Sequence, residues 1–219
     1  MSATLVQSKT KAFAGGTSTT LTLDASPTPG NVLVLTWGTS NGTSTSGTPT
    51  GGGCTTWTKR GESAVRRGAS IWTGVVDTTP SANVVMPGTV TMLFTVTEWS
   101  GLDSGSLLHG SAVTGSAVGT TASGANVAIT PTALAAIVLV MVAGTQGNTT
   151  GGPSAGWTSI QASGSIGSSA YQVVTSASGA YSNKYNITNN YTQWDAVVVA
   201  LNVAAAGTPA VASRGIHAL

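Results

Sequence analysis

Apolar positions along this chain come in short runs rich in Val, Ile, Thr and Trp, each bounded by Gly, Pro, Ser or Asn. β-Branched and aromatic side chains fit a pleated, half-buried surface, so each run predicts a strand. In the first part of the chain the runs occupy residues 19–23, 31–37, 55–59, 69–76, 83–86 and 90–99. In the second part they occupy 126–129, 135–143, 158–161, 170–176 and 194–203. Breakers such as Ser26-Pro27-Thr28-Pro29-Gly30, Gly51-Gly52-Gly53 and Gly151-Gly152-Pro153 separate them. Val197, Val199, Leu201 and Val203 alternate onto one face of the last run. Residues 32–35 and 137–142 are instead continuously apolar, which predicts central strands covered on both sides.

The two parts resemble each other. An apolar run follows Pro29 up to Trp37, and another follows Pro131 up to Ala143. Trp57-Thr58 is answered by Trp157-Thr158, and Ser70-Ile71-Trp72 by Ala170-Tyr171. The spacing of roughly 100 residues is too long for a solenoid unit and suits half of a pseudo-symmetric sandwich. The alignment sets Pro29, Trp57 and Trp72 against Pro131, Trp157 and Tyr171; chance likeness of strand-rich segments is the alternative. The expected architecture is all-β: a single antiparallel β-sandwich over residues 1–203, with halves at about 19–103 and 126–203. Residues 204–219 hold small residues without strand period and are expected to form an extended tail.

Composition sharpens this picture. Charged residues make up 6% of the chain, against roughly 25% in an average domain. Thr, Ser and 29 glycines take their place, which favours strands and turns over helices. The apolar stretch at 133–143 covers only about half of a membrane-spanning helix, so no membrane span is expected. Residues 1–13 carry Gln7, Lys9 and Lys11 with no apolar core, so no secretory signal is expected there, and the protein is expected to be made in a cytoplasm. A net charge of +2, with one cluster at Lys59, Arg60, Arg66 and Arg67, is too sparse for a nucleic-acid surface. The cluster reads as a solvated hairpin arm, or as a contact for an acidic partner surface. Cys54 stands alone, which excludes an intrachain disulfide and suggests a small buried hydrophobe.

Reactive groups are scarce. The histidines are His109 and His217, and the acids are Asp24, Glu62, Asp77, Glu98, Asp103 and Asp195. His109 with Asp103 as orienter, or Glu98 with Asp103 as a carboxylate pair, are the groupings that general acid–base chemistry would need. Structural roles account for them better, and neither a calcium loop, a phosphate loop nor a metal-ligand cluster is present in the sequence. No catalytic, cofactor-binding or metal-binding residue is therefore expected. Trp37, Trp57, Trp72 and Trp157 sit in strand positions and read as core pillars. Tyr181, Tyr185 and Tyr191 fall in or beside a stretch, 178–190, rich in Asn and Ser and read as a polar loop. They are the candidate contacts for a partner or glycan.

The segment order resembles a β-sandwich domain, jelly-roll-like, of tailed-phage virion structural proteins and related bacterial surface proteins. The residues that carry the resemblance are Gly30-Asn31-Val32-Leu33-Val34-Leu35-Thr36-Trp37, Trp57-Thr58-Lys59, Ser70-Ile71-Trp72, Thr97-Glu98-Trp99-Ser100-Gly101-Leu102-Asp103, Trp157-Thr158 and 194–201. The resemblance implies a structural or adhesive role with no catalytic residues to carry over. The expectation is a phage virion structural protein, a minor capsid or decoration protein that binds the outside of the head and stabilises it. Its partners would be the major capsid protein or other virion proteins, with assembly into a homo-oligomer such as a trimer, and with neither nucleic acid nor membrane as partner. It would be located in the virion, assembled in the host cytoplasm. The alternative is a carbohydrate-binding or tail adhesin module.

Overall fold

Each apolar run becomes a strand in the computed structural model, which describes residues 2–40, 45–88, 90–119, 125–131, 136–145, 149–150, 153–161, 166–187 and 192–205. The first half contains β1 (Thr4–Phe13), β2 (Ser18–Thr22), β3 (Val32–Thr39), β4 (Thr50–Gly51), β5 (Trp57–Ser63), β6 (Ala69–Val75), β7 (Asn83–Pro87) and β8 (Met92–Ser100). The second contains β9 (Val113–Gly119), β10 (Ala125–Ile129), β11 (Ile137–Thr145), β12 (Thr149–Thr150), β13 (Thr158–Gln161), β14 (Gly167–Val174), β15 (Tyr181–Ile187) and β16 (Thr192–Asn202). All the pairings between these strands are antiparallel. The all-β sandwich architecture is thus as expected.

The sheets reveal how far the duplication extends. In the first half β1-β8-β3-β6-β5 form one sheet and β2-β7-β4 another. In the second, β9-β16-β11-β14-β13 and β10-β15-β12 repeat the same order, strand for strand. Successive strands cross between the two sheets of a half, apart from the β5–β6 hairpin, in a jelly-roll type of winding. Each half is thus a sandwich in its own right, and the expected single sandwich is composed of four sheet layers.

Three apolar clusters mark the interfaces between layers. Leu33, Leu35, Trp37, Trp57, Trp72, Met86 and Phe94 fill the first half, between its sheets. Ile137, Leu139, Met141, Trp157, Trp194 and Val198 fill the second. The third cluster joins the halves back to back: Val32, Val34, Ile71 and Trp99 from one five-stranded sheet meet Val138, Val140, Val197 and Leu201 from the other. This is why β3 and β11 read as continuously apolar: each lies between two cores, and every residue of β3 is buried. They lie face to face across the central layer. β6 packs on β16 while its counterpart β14 packs on β8, so the contact has the reciprocity of a two-fold axis. Gly61 marks a close approach: a Cβ there would fall 2.6 Å from Val197 Cγ1 and 2.7 Å from Ala112 Cβ.

Register tests the proposed alignment residue by residue. Pairing in β5 slips between Lys59 and Gly61, and pairing in β13 slips between Ser159 and Gln161, so equivalent bulges follow Trp57 and Trp157. The tryptophans therefore correspond. Trp72 and Tyr171 do not: Lys59 faces Trp72, whereas Ser159 faces Ala170 and Tyr171 faces Thr158. Tyr171 is offset by one residue, and one residue in a strand reverses the face. Trp72 accordingly lies in the first half's own core, and Tyr171 packs between the halves, edge-on to Trp99 at 5.0 Å. Pro131 lies further from the start of its strand than Pro29 does, so these two are not equivalent either.

Two further corrections concern polar strands. Residues 178–190, read as a loop, contain β15, the middle strand of its sheet. Its polar side chains concealed the alternation, in which Tyr181 is half-buried, Ser182 exposed and Asn183 fully buried. The N-terminal segment, read as polar and without an apolar core, is the edge strand β1, paired along its length with β8. Val203 closes the ladder in a bridge with Leu102, and residues 206–219 of the expected tail lie outside the described residues.

Candidate functional sites

The three candidate tyrosines fall out differently. Tyr181 opens β15, packs against the core of the second half, and accepts a hydrogen bond on its hydroxyl from the Ser178 backbone N–H at 3.1 Å. Its ring is therefore committed to packing. Tyr185 lies on the same strand, paired with Ala125, and Tyr191 lies outside the described residues. The described structure thus supplies no stacking platform composed of all three.

The acid–base groupings separate. Glu98 is buried on β8, with Oε1 accepting from the Thr28 N–H (2.8 Å) and Asn31 Nδ2 (2.6 Å), and Oε2 from Gln7 Nε2 (2.6 Å). Three donors around one buried carboxylate make a structural clip, here between β1, β8 and the turn before β3. Asp103 turns away from it and accepts from the Gly105 and Ser106 N–H groups through Oδ1, shaping its own loop. His109 takes Asn202 as its Nδ1 partner, at 2.8 Å, so Asp103 does not orient it. The Glu-Trp-Ser-Gly-Leu-Asp segment is the end of β8 and the turn after it, in which Gly101, at φ +78°, passes so close to Ser2 that a Cβ would sit 2.6 Å from its carbonyl oxygen. His217 lies outside the described residues.

Sequence reasoning missed Asp195. Its side chain, fully buried on β16, crosses from the second half to the β5–β6 hairpin of the first. Oδ1 accepts from Ser63 Oγ at 2.9 Å, and Oδ2 from the Arg66 and Arg67 backbone N–H groups at 2.7 and 2.5 Å. A buried carboxylate is tolerated only with such donors. The basic cluster is divided: Lys59 and Arg66 are exposed, as in a solvated arm, and Arg60 and Arg67 are half-buried. Lys59 pairs with Glu62 at 2.7 Å and lies 4.9 Å over the Trp72 ring, and Arg67 donates to the Ser40 carbonyl at 2.8 Å.

A polar cleft of about 260 Å³ remains at the open end of the β5–β6 hairpin, away from its turn. Thr55, Thr56, Thr58 and Arg60 line it from the β5 side, Thr73, Val75 and Asp77 from the β6 side, and Ser104 from the connection between the halves. Arg60 Nε donates to Thr73 Oγ1 at 2.7 Å, and burial lowers the guanidinium's pKa. Asp77 Oδ2 accepts from both Thr55 Oγ1 (2.5 Å) and the Thr55 N–H (2.7 Å); these bonds hold its carboxyl below the usual 3.8. Nearby, Cys54 is buried against Gly74, and desolvation, reinforced by the Asp77 charge, pushes its thiol up to about 12. Among the described residues no three His, Cys, Asp or Glu side chains gather in a way that could hold a metal.

No protein-family model, no curated protein and no solved structure matches this chain.

Proposed function

We propose that the chain is a non-catalytic structural protein of a tailed-phage virion, a minor capsid or decoration protein that binds the outside of the head and stabilises it. The observation that carries this reading is the doubled eight-stranded sandwich, a winding used in viral shells. Its buried carboxylates, Glu98 and Asp195, are both consumed in holding segments together, which suits a load-resisting part. A surface with little charge suits contact with the major capsid protein and with identical neighbours, in an oligomer such as a trimer. Mass spectrometry of purified particles tests the reading: the protein should be present in many copies per head, and heads lacking it should rupture at lower temperature. Its absence from intact particles would overturn the proposal.

A further inference from the structure

We propose that the cleft at the open end of the β5–β6 hairpin binds an acidic sugar unit, a hydroxylated ring that carries a carboxylate. Its two charged residues face the same space without pairing, since the ion pairs among the described residues are Lys9–Asp24 and Lys59–Glu62. Arg60 spends Nε on Thr73, which is itself buried and fixes the plane of the guanidinium. Its terminal NH2 groups have no partner among the described residues, so a partly desolvated cation presents a free fork of donors. A carboxylate fits such a fork better than any neutral group. Asp77 commits Oδ2 to Thr55 and leaves Oδ1 as an acceptor, and an acceptor of this kind selects hydroxyl donors.

The combination discriminates among ligands. A bare inorganic anion would satisfy Arg60 but meet repulsion from Asp77, and a neutral sugar would satisfy Asp77 but leave the guanidinium without a counter-ion. A ligand with a carboxylate at one end and hydroxyls at the other satisfies both, with Thr56, Thr58 and Ser104 as further hydroxyl partners. The volume, room for about nine waters at liquid density, limits the occupant to about one ring. The site is separate from Tyr181, and its ligand does not depend on whether the protein rides on a phage head.

Titration of the full chain with glucuronate, galacturonate, glucose and inorganic phosphate, followed by amide chemical shifts, tests the assignment. Saturable binding of one of the two uronates is expected, with shifts at Thr55, Thr58 and Thr73, and glucose and phosphate at least about tenfold weaker. Arg60→Gln should abolish that preference. Thr58→Asp, at an exposed position that leaves the Arg60–Thr73 bond intact, should weaken uronate binding by a similar factor. Phosphate binding as tightly as uronate, unchanged affinity in the Thr58→Asp protein, or no saturable shift with either uronate would overturn it.

Discussion

The two halves wind identically and fill their cores differently. With the bulges after Trp57 and Trp157 aligned, ladder register places Trp37 against Ala143, Phe94 against Ala196 and Met92 against Trp194. In the first half the bulk stands on β3, where Trp37 Nε1 points at Met92 Sδ, 2.9 Å away. In the second, β11 carries alanine and the indole has moved to β16. The position of each turn and bulge is retained while individual core side chains are exchanged, as expected if patterning and total volume decide a fold before particular identities do. Among the described residues, buried Trp194 Nε1, Ser169 Oγ and Asn183 Nδ2 of the second half, and His109 Nε2 of the connection between the halves, have no hydrogen-bond partner.

The largest test of this contrast is truncation of the two indoles. Trp37→Ala should cost about 3–5 kcal/mol in denaturant unfolding, and Trp194→Ala a comparable amount if it carries the transferred volume. A cost at Trp194 below a third of that at Trp37 would show that the bulk was not exchanged. The two buried carboxylates come next. Glu98→Gln sets an NH2 against Gln7 Nε2, whose amide is fixed at both ends by the Ala25 backbone, and should cost about 3 kcal/mol. Asp195→Asn should cost about 1 kcal/mol, with faster amide exchange in the β5–β6 hairpin, because its carbonyl oxygen keeps the Arg66 and Arg67 N–H groups and the Ser63 hydroxyl can turn to accept. Equal costs would mean that a rotatable hydroxyl relieves the new amide no better than a fixed glutamine.

One pH effect belongs to the first half. The Cys54 thiol stays protonated in the fold up to about 12, whereas an unperturbed thiol ionises near 9.0. Stability is therefore unaffected by this group below pH 9 and falls as pH rises between those values, since only the unfolded chain releases the proton. The advantage in melting temperature of the native protein over Cys54→Ser should shrink across that window, and a constant difference would refute it. The smallest effect is expected from Trp194→Phe. Loss of an unpartnered N–H offsets lost volume, so stability should move by less than about 1 kcal/mol; Trp37→Phe, which gives up the bond to Met92, should cost more.

Much of the architecture was legible in the sequence, and for identifiable reasons. The continuous apolar runs of β3 and β11 announced strands covered on both faces, and Trp57 and Trp157 aligned correctly because a Gly-rich turn precedes each. β15 was missed because Ser182, Asn183 and Lys184 give no apolar alternation, and because its placement depends on neighbours, β10 and β12, that are themselves short. Tyr171 was misaligned because a repeat of roughly 100 residues does not reveal an offset of one residue, which in a strand decides the face. Neither the Asp195 clip nor the Arg60–Asp77 cleft left a local signal. Asp195 meets donors from the opposite half, and the cleft includes Ser104 from beyond β8.

The reciprocal packing of the two five-stranded sheets has one more consequence. Two separate chains meeting through such a face would part on dilution, and their association would vary with expression level. Residues 101–112 tether the two faces, so each meets the other at an effective concentration of order millimolar, independent of how many molecules surround it. A single copy, newly released from the ribosome, can therefore complete its own central layer before it encounters any neighbour.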